Sequence, residues 1–290
     1  MKIPLFTGAC TALVTPFLDS EVNYPMLEQL LQRQMDAGIE AVVICGTTGE
    51  ASTLSDEEKL NLFRRAKNYV GSRMKIIAGT GSNNTKHSIE LSKEAEGIGV
   101  DGLLVVSPYY NKATPEGLIA HYEAIASSVN IPLIIYNVPG RTGLDIPVSI
   151  YQKLSRLPNI AGVKEASGDI TKITKIRHLC GDQLPIWTGN DEMITPVISL
   201  GGSGVISVLS NILPGQTQAM AKSALAGDFA TAAALQTKLQ LLNEALFCEV
   251  NPIPVKAAMK LIGYDCGTCR LPLTDLAGEN LQRLSRVLLR

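Results

Sequence analysis

The sequence lacks an excess of charge of either sign, since 26 Lys and Arg residues stand against 27 Asp and Glu residues. Proteins that hold nucleic acid or anionic membranes through phosphate contacts carry a clear basic excess, so neither partner is expected. Long apolar runs are also lacking, and no stretch reaches the roughly 20 residues of a membrane-spanning helix. Hydrophobic residues still make up 46% of the 290 residues, which predicts a large buried core.

Cysteine and histidine are scarce. Cys266 and Cys269 form a Cys-x-x-Cys pair without a second pair, so we interpret them as structural thiols rather than as a zinc or redox centre. His87, His121 and His178 all fall in helical patterns, so neither a histidine metal site nor a histidine base is expected. The N-terminus shows no signal-peptide pattern, and we therefore expect a soluble, cytoplasmic protein.

Short apolar runs recur eight times, each followed by loop residues and an amphipathic stretch. Continuous Val, Ile and Leu runs of this length are typical of buried parallel strands. Strands that alternate with helices predict a parallel sheet, and eight of them at fairly even spacing favour an α/β fold of the closed (β/α)8, or TIM, barrel type. The runs are Ala9–Phe17, Ala41–Thr47, Lys75–Gly81, Gly102–Pro108, Pro132–Val138, Ile160–Glu165, Pro185–Gly189 and Gly204–Leu209.

Helix signals fill the intervals between these runs. Ser55–Val70 opens with a capping box, and Pro115–Val129 follows Thr114 as its N-cap. After the eighth run the strand signal stops and helical residues dominate. We therefore predict a barrel over residues 1–226 and a C-terminal helical region, 227–290, packed on it. A G-x-G-x-x-G match at 97–102 leaves a helix and enters a strand, the reverse of a dinucleotide site, and predicts only a tight turn.

Lys164 is the most informative polar residue, because it closes the sixth run at the end of the strand where barrel enzymes place their chemistry. Burial there would favour a neutral amine near pH 7, and such an amine attacks a ketone or aldehyde to form a Schiff base. An ion pair with Glu165 or Asp169 is the structural alternative. Position alone does not decide between the two.

Tyr136 ends the neighbouring strand, so its hydroxyl could face the Lys164 amine. Imine formation requires protons to be delivered and removed, which a phenol can do through a relay. Thr47 and Tyr110 are the candidate relay partners. The alternative is that Tyr136 is only a core aromatic residue.

Two further side chains are suited to acidic substrates. Thr48 could donate a hydrogen bond to one carboxylate, and the fork of Arg141, just beyond strand five, could bind a second. Arg141 could equally form a surface ion pair. Taken together, these residues indicate a lysine aldolase that handles acidic substrates.

Five motifs resemble those of the pyruvate-dependent class I aldolase family, and they occur in the same order over essentially the whole chain. They are GTTGE at 46–50, PYYN at 108–111, YNVPGRTG at 136–143, GVKEASGD at 162–169 and GVISV at 204–208. The resemblance implies a (β/α)8 barrel with a C-terminal helical region. It also implies that Lys164 forms the Schiff base with pyruvate and that Tyr136 donates and accepts protons. Thr47 and Tyr110 would complete the relay, Tyr110 reaching in from a neighbouring subunit.

The substrate contacts follow from the same resemblance. It implies that Thr48 and the Ile206 backbone hold pyruvate and that Arg141 binds the carboxylate of L-aspartate 4-semialdehyde. Gly189, at the end of strand seven, is also expected in the substrate site. The implied reaction is a lyase-type condensation of these two substrates on the route to diaminopimelate and L-lysine. It needs no metal and no cofactor beyond the covalent lysine imine, and it implies a homotetramer built as a dimer of dimers.

Arg141 separates this reaction from the alternative, a related pyruvate aldolase such as N-acetylneuraminate lyase or a 2-keto-3-deoxy-sugar acid aldolase, which lacks the PGRTG pattern. One departure from the family concerns regulation. Asn83 and Tyr109 match the cluster of lysine-inhibited members, but Lys59 and His87 replace the usual histidine and glutamate. An added cation and a lost carboxylate predict weak or absent inhibition by lysine.

Overall fold

Eight parallel strands form a closed barrel in the computed structural model, which describes residues 2–288. Each strand pairs with its neighbours in sequence, and the first closes the barrel against the eighth. The predicted (β/α)8 barrel is therefore confirmed. The strands are β1 (Gly8–Ala12), β2 (Ala41–Ile44), β3 (Lys75–Gly79), β4 (Gly102–Val106), β5 (Leu133–Asn137), β6 (Ile160–Glu165), β7 (Ile186–Thr188) and β8 (Gly204–Ser207).

Each strand overlaps the run that predicted it, but the first run was drawn too long. Strand β1 ends at Ala12, and Phe17 instead pairs with Val22 in a separate short hairpin, Phe17–Leu18 with Glu21–Val22. Pro16 explains the difference, because proline has no N–H to donate and interrupts a central strand.

The helices that follow the strands cover the outside of the barrel. Ser55 caps the second helix with the predicted capping box, and Thr114 accepts a hydrogen bond from Gly117 N at the start of the fourth. The helices longer than one turn are α1 (Tyr24–Asp36), α2 (Asp56–Val70), α3 (Thr85–Ile98), α4 (Pro115–Ala126), α5 (Val148–Leu154), α6 (Ile170–Cys180), α7 (Ile194–Ser199), α8 (Pro214–Leu225), α9 (Phe229–Leu246), α10 (Ile253–Leu261) and α11 (Gly278–Leu288). A single helical turn, Pro139–Thr142, follows β5 and carries Arg141.

The last three helices form the C-terminal region. Helix α9 packs on α8 and α7, and α11 packs on α9 and α10. The domain boundary at residue 226 itself stays a prediction. The G-x-G-x-x-G segment is a turn, as expected, because Gly99 ends α3 in the left-handed region at φ 87°.

Side chains that point into the barrel fill its interior. They form a buried apolar cluster that includes Cys10, Ile134, Trp187 and Ile206, with Tyr136 at its upper edge. A second, larger cluster lies between the barrel and its helices. The interior is thus a packed core, as in other barrels of this type, and the space for a ligand lies at the mouth formed by the carboxyl ends of the strands.

The Cys-x-x-Cys pair consists of free thiols. Burial raises the pKa of both Cys266 and Cys269 to about 12, so neither is poised for reaction at neutral pH. Within residues 2–288 no group of three or more His, Cys, Asp or Glu side chains could hold a metal ion. No helix in that range combines the length and apolar character needed to cross a membrane.

Candidate active site

Strands β5 and β6 bring Lys164 and Tyr136 together. The two residues are register partners, and each is 6% exposed. Neighbouring residues on a strand point to opposite faces, so this pair points into the barrel mouth while the next pair points outward. The Lys164 Nζ lies 4.2 Å from the centre of the Tyr136 ring. The predicted proximity of amine and phenol is therefore present.

The ion-pair alternative for Lys164 is not observed. Among the described residues, no carboxylate lies within 4.0 Å of its amine. Asp169 instead caps helix α6 by accepting a hydrogen bond from Thr171 N at 2.8 Å. Glu165 is directed outward and is bound elsewhere. The lysine is thus buried without a carboxylate partner, beside an aromatic ring.

The outward pair, Asn137 and Glu165, holds the two strand ends in register. Asn137 Nδ2 donates to both carboxylate oxygens of Glu165, at 2.9 and 3.1 Å. It also donates to Asp145 at 2.8 Å, while its Oδ1 accepts from Ile146 N at 3.1 Å. Because each residue directly follows Tyr136 or Lys164 in sequence, this pair fixes where those two side chains stand.

Glu165 is almost completely buried and well satisfied. Its carboxylate accepts from the Tyr151 hydroxyl at 3.0 Å and from Ser167 N at 2.9 Å, and Lys172 Nζ lies 3.7 Å away. Burial and the adjacent carboxylate raise the pKa of Tyr151 well above its ordinary value, so its hydroxyl remains a donor. Lys172 also forms an ion pair with Asp145. These contacts make the Glu165 network a support for the ends of β5 and β6.

The loop after β2 supplies the opposite side of the mouth. Thr48 is 3% exposed, and its Oγ1 accepts a hydrogen bond from Asn251 Nδ2 at 3.0 Å. The backbone oxygen of Asn251 accepts from Arg141 Nη2, also at 3.0 Å. A residue from the C-terminal region thus connects the threonine and the arginine that the sequence singled out.

Glu50 ties the same loop to the C-terminal region. Its Oε1 accepts from Lys256 Nζ at 2.8 Å, and its Oε2 accepts from Arg270 N at 2.8 Å. Lys256 also donates to Thr268 O at 2.9 Å. Lys256 and Arg270 both lie against the Phe17 ring, 4.3 and 4.4 Å from its centre. Both charged partners of the Glu50–Lys256 pair are buried, at 1% and 3% side-chain exposure.

A cavity of about 680 Å³ opens between these two sides. Its wall includes Thr47, Tyr136, Arg141 and Asn251. The volume suits a small ligand rather than a polymer. Toward helices α2 and α3 the cavity continues to a polar end, where Lys59, His87, Ser82 and Tyr109 line it.

Gly189 lies beside Lys164, and Ile206 lies in the barrel interior. A Cβ atom added to Gly189 would approach Lys164 Cε to 2.9 Å, so glycine leaves the lysine side chain its room. Ile206 is fully buried on β8. The end of β8 is held by Asp191, whose Oδ2 accepts from Val208 N and Leu209 N, both at 2.9 Å.

Lys164, Thr48, Gly189 and Ile206 are absent from the cavity wall, and so is Tyr110, which differs from them in being largely exposed. Its side chain is 90% exposed, its backbone adopts a positive φ of 72°, and it is absent from the cavity wall. The neighbouring Tyr109 lines the cavity instead.

Fold and site together define a class of protein. A buried lysine packed on a tyrosine at the carboxyl ends of barrel strands is an arrangement suited to an enzyme of the barrel class that acts on a carbonyl compound. The chain belongs to the dihydrodipicolinate synthetase family, whose model matches residues 5–290. The resemblance drawn from the five motifs is therefore confirmed.

Relatives of the chain match it over nearly its whole length. It is 47% identical to the 4-hydroxy-tetrahydrodipicolinate synthase of Clostridium perfringens, over 96% of this chain and 95% of that protein. A solved structure of the chloride-inhibited dihydrodipicolinate synthase of Acinetobacter baumannii with pyruvate is 42% identical, with a TM-score of 0.96 over 98% of each chain. The enzyme of Cyanidioschyzon merolae, solved with lysine bound, is 39% identical, with a TM-score of 0.96 over 99% of this chain and 98% of that one.

Sequence reasoning missed three contributors to the site: Asn251, the outward partner Asn137, and Asp191. Asn137 directly follows Tyr136 and Asp191 lies two residues after Gly189, so both are next to predicted site residues in sequence. Asn251 begins a proline-rich segment that interrupts the C-terminal helices. The prolines were the only sequence signal in that segment, and they indicated a loop rather than a residue of the site.

Proposed function

We propose that this protein condenses pyruvate with L-aspartate 4-semialdehyde to give 4-hydroxy-tetrahydrodipicolinate, a step in diaminopimelate and L-lysine biosynthesis. The observation that carries the proposal is the pairing of Lys164 with Tyr136 at the barrel mouth, 4.2 Å from amine to ring centre. Arg141 on the same cavity wall favours an acidic aldehyde over a polyhydroxylated one. Synthases of this activity are also the relatives that the chain matches.

Lys164 provides the covalent step. Its neutral amine attacks C2 of pyruvate, and the resulting carbinolamine loses water to form the imine. The Tyr136 hydroxyl protonates the departing oxygen and then takes a proton from the pyruvate methyl group, which produces the enamine. Thr47 and Tyr110 carry protons between this hydroxyl and the solvent. The imine is the only electron sink that the chemistry requires, so no metal or separate cofactor takes part in the proposed mechanism.

Binding of pyruvate depends on the threonine loop and on β8. Thr48 donates its hydroxyl proton to the pyruvate carboxylate, and the Ile206 backbone contacts the same group. Gly189 keeps the space around the imine open. These contacts orient C2 toward Lys164, which converts an encounter of two molecules into a positioned reaction.

The second substrate enters with its carboxylate on Arg141. The enamine carbon attacks the aldehyde carbon, forming the new C–C bond and an alkoxide that takes up a proton. The substrate nitrogen, as a neutral amine, then attacks the imine carbon. The bond from that carbon to the substrate nitrogen replaces its bond to Lys164, and one proton passes to the departing lysine amine.

The proposal includes a homotetramer, a dimer of dimers, in the cytoplasm. Tyr110 supports a site shared between subunits, because its exposed side chain stands outside the cavity of its own chain. In the assembled enzyme it would extend into the neighbouring subunit to complete the relay.

Borohydride trapping tests the proposal. Incubation with pyruvate and borohydride should add one reduced pyruvate to the peptide containing Lys164, as measured by mass spectrometry. The Lys164→Ala variant should lose the adduct and at least about 10³-fold of its condensation activity. Lys256→Met, which removes a different buried lysine, is the matched control and should keep the adduct at saturating pyruvate. An adduct on another lysine, or none in the unaltered protein, would contradict the proposal, as would cleavage of N-acetylneuraminate without activity on aspartate semialdehyde.

A further inference from the structure

Six Asp, Glu, Lys and Arg side chains are buried in the part of the chain that the structure describes. Two ion pairs account for four of them: Glu50 with Lys256 at 2.8 Å, and Glu165 with Lys172 at 3.7 Å. The other two, Lys164 and Asp191, have no oppositely charged group within 4.0 Å among residues 2–288. Burying a charge without a counter-charge is costly, so a lone lysine and a lone carboxylate at one end of the barrel point to a joint role.

Asp191 is held between the ends of β7 and β8, next to the lysine. It follows Gly189 by two residues, and a Cβ atom on Gly189 would approach Lys164 Cε to 2.9 Å. Its Oδ2 accepts from Val208 N and Leu209 N, both at 2.9 Å, just beyond the end of β8. These two hydrogen bonds fix the carboxylate, so its charge has a constant position relative to the strands that adjoin the lysine.

Several groups favour the charged form of Asp191. Burial raises the pKa of its carboxyl group, but the N–H groups of Leu209 and Val208 and the positive charge of Lys164 each oppose that rise. Its second oxygen, Oδ1, is buried and has no hydrogen-bond partner in the described part of the chain. Lys164 is therefore the buried cation that acts on this carboxylate, although the two groups are not in contact.

The other titratable groups around Lys164 do not supply an unpaired anion. Tyr136, on β5, presents its ring to the amine. The Cys10 thiol, on β1, lies in the barrel interior, and burial raises its pKa, which keeps the thiol neutral. Glu165, the neighbour of Lys164 on β6, is directed outward and lies beside Lys172. Among these groups, Asp191 alone offers a negative charge without a cation of its own.

We propose that Asp191 is a positioning residue whose charge stabilises the cationic iminium that Lys164 forms with pyruvate. This inference rests on the proposed function. A direct ion pair would hold the free lysine as an ammonium ion, which cannot attack a ketone. A fixed carboxylate that is near the nitrogen but beyond 4.0 Å permits the neutral amine and still favours a positive charge that develops later.

That charge develops when the carbinolamine loses water. The C–O bond breaks, the oxygen leaves as water with the proton that Tyr136 donates, and the nitrogen lone pair completes the C=N bond. The nitrogen then carries a positive charge in a buried site, where a fixed anion acts more strongly than it would in water. The cationic form is also the better electron sink, so the same charge assists removal of a proton from the methyl group.

Asp191→Asn tests the inference, because the amide keeps an oxygen for Val208 N and Leu209 N and loses only the charge. Each protein is saturated with pyruvate and trapped with cyanoborohydride, which reduces the protonated iminium and not the neutral imine. The pyruvate carboxylate is present in every sample, so its charge does not affect the comparison. Mass spectrometry of the Lys164 peptide gives the trapping rate at each pH.

The trapping rate should fall as the pH rises and the iminium loses its proton. In Asp191→Asn the midpoint of this fall should lie about one pH unit lower, the scale expected for an opposite charge that is close but not in contact. Above that midpoint kcat should fall about 10-fold, because one unit is a tenfold change in the protonated fraction. Glu192→Gln removes a charge from the next residue, which is exposed, and should leave the midpoint unmoved.

A second variant decides the case in which Asp191→Asn does not fold. Lys164→Met combined with Asp191→Asn removes both buried charges, and urea unfolding measures its stability. If this double variant folds where Asp191→Asn does not, the failure came from the uncompensated lysine, which supports the inference. If both fail, Asp191 serves only to hold the end of β8, and the inference is wrong.

An unmoved midpoint in Asp191→Asn, with the same loss of trapping rate at every pH, would overturn the inference, because a purely structural role changes the rate without shifting the profile. The unaltered protein distinguishes this outcome from a failure of the proposed function. If it forms no adduct on Lys164, the proposed function is wrong. If the adduct forms and the two midpoints agree, only the role of Asp191 is wrong.

Discussion

The two sides of the barrel mouth are built in different ways. On the lysine side, contacts join residues near one another in sequence: Asn137 meets Asp145 at a separation of 8 residues and Glu165 at 28. On the threonine side, Thr48 meets Asn251 at a separation of 203 residues, and Glu50 meets Lys256 at 206. The amine and its phenol are thus held by adjacent βα units. The loop that we propose to receive the substrate carboxylate depends on the C-terminal region.

This difference divides the tasks of the site. In the proposed mechanism the lysine side carries the reacting atoms, and its support is a network whose members lie on β5 and β6, on the loops that follow them and on helices α5 and α6. In the same mechanism the threonine side holds the substrates, and its support consists of contacts with the C-terminal region. We therefore expect damage to the lysine side to lower kcat most, and damage to the threonine side to change substrate affinity together with the attachment of the C-terminal region.

Among the residues that support the site, replacement of Glu165 should have the largest effect. Glu165→Ala removes an acceptor from Asn137 and from Tyr151 and leaves Lys172 with Asp145 as its one carboxylate partner among the described residues. Breaking a buried charged network of this kind costs about 3–5 kcal/mol of unfolding free energy. Because the register of Tyr136 and Lys164 loosens, kcat should fall about 100-fold with a smaller change in KM. Urea unfolding and steady-state kinetics measure the two effects.

Glu165→Gln is the matched control, because it keeps the shape and one acceptor oxygen while it removes the charge. It should lose less stability and less activity than the alanine variant. If Glu165→Ala retained the kcat of the unaltered protein, the outward pair would have no part in positioning the lysine and tyrosine, and the division between the two sides would fail.

The lysine side is also the part of the site that could be predicted from sequence. Lys164 ends a run of apolar residues, and Tyr136 ends the run before it, so the parallel barrel alone brings them together. The strands themselves were predictable for the same reason. Phe17 was wrongly included in the first strand, because the apolar run continues past Ala12, where the strand ends, and Pro16 separates Phe17 from it.

The threonine side could be predicted only in part. Thr47, Thr48 and Arg141 follow strands and were found, but Asn251 lies beyond the barrel, in a segment with no strand to indicate its position. No local pattern reports a contact across 203 residues. The buried Glu50–Lys256 ion pair could not be predicted either, because a charged residue in a loop and another in a helix are ordinarily both solvent-exposed.

Breaking the Glu50–Lys256 ion pair should have the second-largest effect on stability and on kinetics. Lys256→Met leaves the Glu50 carboxylate buried with the Arg270 N–H as its remaining partner, and the unfolding free energy should fall about 3 kcal/mol. We expect kcat to change little and KM for pyruvate to rise about 3- to 10-fold, because Thr48 shifts within its loop. Thermal unfolding measures the loss of stability, and initial rates at varied pyruvate concentration measure kcat and KM.

Two controls make that comparison sharper. Lys260→Met breaks an exposed ion pair with Asp265 on the same helix and should cost less than about 1 kcal/mol. The double variant Glu50→Gln and Lys256→Met removes both charges and should recover part of the loss. If Lys256→Met lowered kcat as much as Glu165→Ala does, the two sides of the mouth would not be separable.

The smallest effect is expected for added L-lysine. The polar end of the cavity adjoins the threonine side, and there the Asp56 carboxylate is already bound by His87 Nε2 at 2.7 Å and by Lys59 Nζ at 3.2 Å. A lysine ammonium group entering this end would meet one added cation and an occupied carboxylate, so its affinity should be low. We expect less than about twofold inhibition at millimolar lysine, on the scale of a weak exposed charge interaction. The paired variant Lys59→His with His87→Glu removes the cation and adds a carboxylate, and it should bind lysine more tightly by calorimetry. Potent inhibition of the unaltered protein by micromolar lysine would contradict this prediction. It would also show that the threonine side responds to ligands that its charges should repel.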